Sequence, residues 1–141
     1  MTTVGGGIIP ELPPEGHWCL RFEGFDPDDE GRREALCTLA NGYFSVRGAA
    51  PEAEADGVHY PGTYVAGVFN RLEDDVHGRP VTNESLVNLP NWLLLRFRVA
   101  DGGWFRLDGA DLLDHVVELD THRAVLRRHL RFRDGDGRVT R

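Results

Sequence analysis

Cysteine is nearly missing from this chain: Cys19 and Cys37 are the only two among 141 residues. Two thiols make no disulfide framework of the kind that holds small secreted domains together. Both fall in apolar, strand-like runs and read as core thiols. A basic excess is missing too, since 16 arginine and lysine residues face 23 acids for a net charge of −7. Nucleic acid and anionic membrane surfaces both ask for a basic footprint, so neither is an expected partner. No apolar run approaches the ~20 residues of a membrane span. Residues 1–16 have no basic n-region and no long apolar stretch, hence no secretory signal, and the expected compartment is the cytoplasm. Without such a signal, the glycosylation pattern Asn83-Glu84-Ser85 reads as chance.

Recognisable chemistry is equally scarce. His17, His59, His77, His115, His122 and His129 form no HxxxH pair and no Cys/His cluster with zinc-like spacing. Their scatter points to surface or loop positions. There is no Walker loop, no GxGxxG after a strand and no GxSxG elbow. A carboxylate pair for glycosidic cleavage needs a defined separation and one raised pKa. Most acids here lie in turn-rich stretches, where they read as solvated. No catalytic residue, metal ligand or cofactor is therefore assigned.

What is present is turn chemistry between short apolar runs. Seventeen glycines and eight prolines, with few long helical patterns, indicate a β-rich chain the size of one domain. Residues 1–16 are Gly- and Pro-rich and read as a flexible N-terminal arm, leaving 17–141 as the folded part. Residues 17–22 suit a first strand. Residues 24–33 read as an acidic loop; a helix capped near Asp26-Pro27 and running through Leu39 is the lesser alternative, because Gly31 interrupts it. Asn41-Gly42 between strand-forming runs predicts a hairpin, with Leu39 opposite Phe44 and an apolar face of Cys37, Leu39, Phe44 and Val46.

Residues 49–57 are polar and acidic, with exposure expected. Residues 63–69 are apolar on both faces, as in a strand covered from both sides. Residues 71–85 read as a charged loop. Past Pro90, a strand over 92–99 would send Leu93, Leu95, Phe97 and Val99 to the core and return through a hairpin at 101–103. Two further strands are expected over 114–120 and 125–133. In the second, Arg127, His129, Arg131 and Arg133 form a solvated cationic stripe. A last strand opens at Arg138 and stops at Arg141, which reads as a truncated β domain. Trp92 and Trp104 are the candidates for stacking on a sugar ring, against the commoner core role of large aromatics.

Four blocks carry a family resemblance: NGYFSVRGAAPE (41–52), HYPGTYVAGVFNRL (59–72), LVNLPNWLLLRF (86–97) and LDTHRAVLRRHLRFRDGDGRVTR (119–141). In this order the chain resembles the N-terminal domain of glycoside hydrolase family 65, the maltose, trehalose and kojibiose phosphorylases and related α-glucoside hydrolases. The resemblance implies an all-β antiparallel super-β-sandwich similar to galactose mutarotase, here truncated. It implies that the general acid and the phosphate or water site lie in an (α/α)₆ barrel outside these residues, so no family catalytic residue maps onto this chain.

The function implied is a non-catalytic N-terminal β-sandwich domain of an α-glucoside phosphorylase or hydrolase. It would support the (α/α)₆ catalytic domain and a possible homodimer, and the full enzyme would act on an α-linked disaccharide. Loops 49–57 and 71–85 would reach toward the substrate pocket or a dimer mate. The alternatives are a stand-alone carbohydrate-binding module, which needs Trp92 and Trp104 exposed, and an aldose epimerase, which needs His59 or His77 beside a carboxylate in a pocket.

Overall fold

The computed structural model describes residues 18–141. The arm over 1–16 and His17 lie outside the described residues. In chain order the elements are β1 (Cys19–Glu23), α1 (Glu30–Leu36), β2 (Leu39–Ala40), β3 (Phe44–Val46), β4 (Thr63–Val65), β5 (Phe69–Val76), β6 (Arg79–Leu86), a 3₁₀ turn (Leu107–Gly109), β7 (Asp111–Asp120), β8 (Val125–Arg133) and β9 (Val139–Thr140). The fold is all-β and antiparallel, with α1 the one α-helix among the described residues. A four-stranded sheet runs β1-β7-β8-β9, a three-stranded one β2-β3-β4, and β5 pairs with β6 alone. No helix among the described residues is long and apolar enough to cross a membrane.

Strand alternation divides the large sheet into two chemically distinct faces. Leu20 lies opposite Leu119, Phe22 opposite Val117, Leu119 opposite Leu126 and His115 opposite Leu130. A bulge between Leu112 and Asp114 adds one residue to β7. It lets Leu112 join Phe132 on this inner face while Asp114 turns to the other. Phe105, Leu107 and Phe132 form the buried apolar centre, flanked by Phe97, Val99, Leu112 and Leu130. Phe105 packs 4.7 Å from Phe97 and 4.5 Å from Phe132, ring centre to ring centre.

The opposite face carries the predicted cationic stripe, but acids of β7 meet it. Arg127 lies 3.6 Å from both Glu118 and Asp120, His129 3.4 Å from Asp114, and Arg133 3.6 Å from Asp111. All 16 cations of the chain are arginines, whose planar fork suits such shared contacts. Instead of a solvated row of cations, this face is a lattice of mixed charge.

Residues 24–33 correct the loop reading, because a helix forms through Gly31. The Asp26 carbonyl accepts the Asp29 and Glu30 N–H groups and opens α1. Arg32 and Arg33 both bond the Asp29 carboxylate and hold its pKa down at about 2. The helix buries Glu30, Glu34 and Cys37, spaced i, i+4, i+7 along one face. Cys37 is a buried thiol at the helix end rather than a strand residue. A Cβ at Gly48 would sit 2.4 Å from the Cys37 Cβ, so only glycine permits this approach.

The Asn41-Gly42 hairpin forms with its register moved. Leu39 lies opposite Val46, not Phe44. Gly42, at φ +84°, is the first central residue and fits a type II′ turn. Asn41 stands before it, and its Oδ1 accepts from the N–H groups of Tyr43 and Phe44. Side-chain capping thus outcompetes the positive φ that a type I′ turn would impose on Asn41. The offset preserves strand parity, so Leu39, Phe44 and Val46 still share a face.

Two stretches differ from expectation more strongly. Residues 71–85 are not a loop. They belong to a long hairpin, β5 and β6, joined by His77 and Gly78 at φ +55° and +79°, the geometry of a type I′ turn. All sixteen strand residues are exposed, and Val68 and Phe69 are exposed too, so residues 63–69 do not make one doubly covered strand. Residues 92–99 form no regular strand: the expected hairpin is reduced to a bridge between Arg98 and Trp104. Phe97 and Val99 pack on the core as anticipated, whereas Leu93 and Leu95 are exposed.

Candidate functional site

The polar interior begins on α1. Glu34 is 1% exposed. One carboxylate oxygen meets His59 Nδ1 at 2.8 Å, and the other accepts the Tyr60 N–H at 2.9 Å. Arg47 stands 3.8 Å away and donates to the Gly31 carbonyl. Residues 56–60 are shaped for this contact: the Asp56 carboxylate accepts the N–H groups of Val58 and His59 at 2.7 and 2.6 Å. Those backbone bonds lower the Asp56 pKa, while the bond to Glu34 outweighs burial and raises that of His59.

A second, half-buried pair lies toward β8. Arg128 donates to both oxygens of Glu52, at 2.7 and 2.6 Å. Removing Arg128 would leave the Glu52 carboxylate covered without its partner, which is destabilising. Arg128 Nε also lies 3.3 Å from His115 Nε2, and His115 Nδ1 lies 3.2 Å from the Gly24 carbonyl. A guanidinium only donates and a carbonyl only accepts, so His115 is neutral with its proton on Nδ1. Burial lowers its pKa in agreement. Phe25 packs between the two imidazoles, 6.1 Å from His59 and 6.3 Å from His115.

These residues correct three sequence readings. His59 and His115 are buried rather than superficial. Glu30, Glu34, Glu118 and Asp120 are buried acids, not solvated ones. Within the acidic stretch 49–57, Ala53 is buried and the Glu52 side chain is covered. The reach of a guanidinium from another element is invisible in a linear pattern, which is why Glu52 resembles its exposed neighbours.

A cleft of about 420 Å³ opens beside this interior, between residues 50–56 and 104–108, with His59 and Arg96 in its lining. Trp104 stands on its rim and also borders a neighbouring cleft of about 390 Å³ near residues 132–136. The two sugar-stacking candidates part company here. Trp92 is 67% and Trp104 57% exposed, yet Trp92 lines neither cleft. The Arg98 guanidinium lies 5.2 Å from the Trp104 ring centre and steadies the indole.

The acids of the larger cleft are all engaged. Glu52 is held by Arg128, Glu54 by Arg96, Asp108 by Arg106, and Asp56 by backbone N–H groups. His59 does sit beside a carboxylate on a cleft, as an epimerase would require. The opposing free acid or base that this chemistry also needs has no candidate among these four. His77 is at the exposed tip of the β5–β6 arm.

Ion pairs thus cover the outer face of the large sheet and line the cleft beside the exposed Trp104 indole. The model for "Glycosyl hydrolase family 65, N-terminal domain" matches residues 20–141, and the chain belongs to that family. An uncharacterized glycosyl hydrolase of Mycobacterium tuberculosis is 56% identical over 123 residues, covering 87% of this chain and 9% of that protein. The kojibiose phosphorylase of Caldanaerobacter subterraneus subsp. tengcongensis is 35% identical over 133 residues, 94% of this chain and 16% of the enzyme. The trehalose 6-phosphate phosphorylase of Lactococcus lactis subsp. lactis is 42% identical over 86 residues, 58% of this chain and 11% of the enzyme. The chain thus spans less than a fifth of the length of these relatives.

Proposed function

We propose that these residues serve a family 65 enzyme as a non-catalytic β domain that buttresses an (α/α)₆ catalytic domain. The β5–β6 arm is the main point of contact with that domain or with a second protomer. The arm is the observation that carries this reading. A two-stranded hairpin is marginal in water by itself, and this one has both faces and both edges exposed. Leu72, Val76 and Val81 share one face, and a partner lying there would cover them. The names of the phosphorylase relatives support phosphorolysis of an α-linked disaccharide by the whole enzyme; cleavage by water is the alternative, and the cytoplasm is the compartment we propose. The galactose mutarotase-like sandwich remains the architecture we expect for the complete domain.

Excising residues 71–84 from the full enzyme and closing the gap with a two-residue turn should raise KM severalfold or dissociate the oligomer. Steady-state kinetics and sedimentation read the two effects. Unchanged values of both would remove the arm from this role.

A second reading, a carbohydrate-binding module, is favoured by the exposure of Trp92 and Trp104. Indoles turned to solvent offer the stacking surface that such a module requires.

A further inference from the structure

We propose that the cleft between residues 50–56 and 104–108 binds a neutral saccharide, with the Trp104 indole as its stacking platform and the His59 imidazole as a hydrogen-bonding group in its wall. The inference deepens the carbohydrate-binding reading above and is independent of the arm.

Three observations converge. The first is the shape: a volume of about 420 Å³ falls in the ~300–1,000 Å³ range of small-molecule sites. An aromatic side chain stands on its rim, steadied by Arg98.

The second is charge balance. Arg96 and Arg106 face Glu54 and Asp108 in ion pairs, Glu52 is neutralised by Arg128, and Asp56 is capped by N–H groups. A phosphate or carboxylate ligand would meet the four carboxylates of Glu52, Glu54, Asp56 and Asp108 against the three guanidinium groups of Arg96, Arg106 and Arg128, an excess of negative charge that repels it. Uncharged hydroxyl groups meet no such repulsion. A paired carboxylate keeps unused lone pairs and a paired guanidinium keeps unused N–H groups, so the pairs present donors and acceptors side by side. A polyol can answer both.

The third is His59. Its Nδ1 is committed to Glu34 at 2.8 Å, which sets the ring plane and leaves Nε2 as the imidazole atom for a ligand. Glu34 is itself held by the Tyr60 N–H and neighboured by Arg47, so the imidazole is fixed before any ligand arrives. Preorganisation of this kind lowers the ordering cost of binding.

The test is a titration of the ¹⁵N-labelled chain with maltose, trehalose, kojibiose and, separately, inorganic phosphate, following the indole N–H signals of Trp18, Trp92 and Trp104. At least one disaccharide should shift the Trp104 indole saturably, together with amides of residues 50–59. Phosphate should leave them in place. His59→Gln should weaken binding about tenfold, the loss of one well-placed hydrogen bond, and Trp92→Phe should not change it. Trp104→Ala should abolish it, with amide dispersion reporting whether the variant still folds. Shifts confined to Trp92 would overturn the cleft while leaving a carbohydrate-binding module standing. No response to any saccharide would overturn both, and phosphate competing for the Trp104 signal would overturn the choice of a neutral ligand.

Discussion

Phe25 separates two histidines with opposite electrostatic histories. Glu34 keeps His59 inclined to hold its proton, whereas burial beside Arg128 keeps His115 inclined to lose one. The consequences for stability have opposite signs. A raised folded pKa stabilises fully below the unfolded imidazole value of about 6.5, and that stability is lost as pH climbs through the folded value. A lowered folded pKa works in reverse: stability is lost as pH falls from about 6.5 toward the folded value. Stability between pH 5 and 8 should therefore peak near the ordinary imidazole pKa. His59→Gln should flatten the alkaline limb and His115→Gln the acidic one. Chemical denaturation at half-unit pH steps checks this, and a wild-type profile that rises steadily through pH 7.5 would contradict the role of His59. None of this is legible from residue type, since the same imidazole is given opposite tendencies by partners 25 and 13 positions away in sequence.

Among the elements, α1 shows why a helix can hide. Helices are found by apolar periodicity, but the inward positions of α1 are Glu30, Glu34 and Cys37, and the apolar Leu36 is exposed. The buried face is polar because its partners, His59, Arg47 and the Tyr60 N–H, arrive from distant residues. Gly31 argued against the helix and is tolerated within it. An added Cβ there would meet only the Val58 carbonyl, at 4.0 Å. Gly31→Ala should then stabilise the chain by about 0.5–1 kcal/mol, measured as a rise in denaturation midpoint with unchanged slope. A fall would mean that the helix start needs the freedom of glycine. The β5–β6 arm was hidden for a different reason. Its arms are rich in Asp, Glu and Asn, and His77-Gly78 is a weaker turn signal than Asn-Gly. Cross-strand bonds hold it instead, among them Asn83 to Asp74 at 2.8 Å. By contrast β7 and β8 were legible in type and place, because Leu126, Leu130 and Phe132 sit at even spacing along β8 and valine and leucine are concentrated in β7, with turn residues between the two strands.

For the whole molecule, the decisive contrast is between an exposed apolar run and a negative net charge. Trp92, Leu93, Leu94 and Leu95 are consecutive and all exposed, while the net charge of −7 sets copies of the chain against one another. Salt screens the repulsion and leaves the apolar attraction intact. The chain should thus associate increasingly as salt is raised. Leu95→Arg should weaken association about tenfold or more, given the ~1.5–3 kcal/mol of a buried leucine. Sedimentation equilibrium across salt concentration checks this, and a monomer at every salt concentration would refute it.

The amino-acid sequence by itself determined the all-β antiparallel character, the strands 114–120 and 125–133, the presence of a turn at Asn41-Gly42, and membership of family 65. These depend on alternation, turn residues and local blocks, which act over a few neighbours. Only the tertiary structure decided that Glu34 and His59 pair, that Glu52 meets Arg128, that residues 71–85 stand out as an arm, and that Trp104 and not Trp92 borders a cleft. The physical reason is that burial of a charge is favourable only when a partner from elsewhere in the chain reaches it, and no local pattern states who that partner will be.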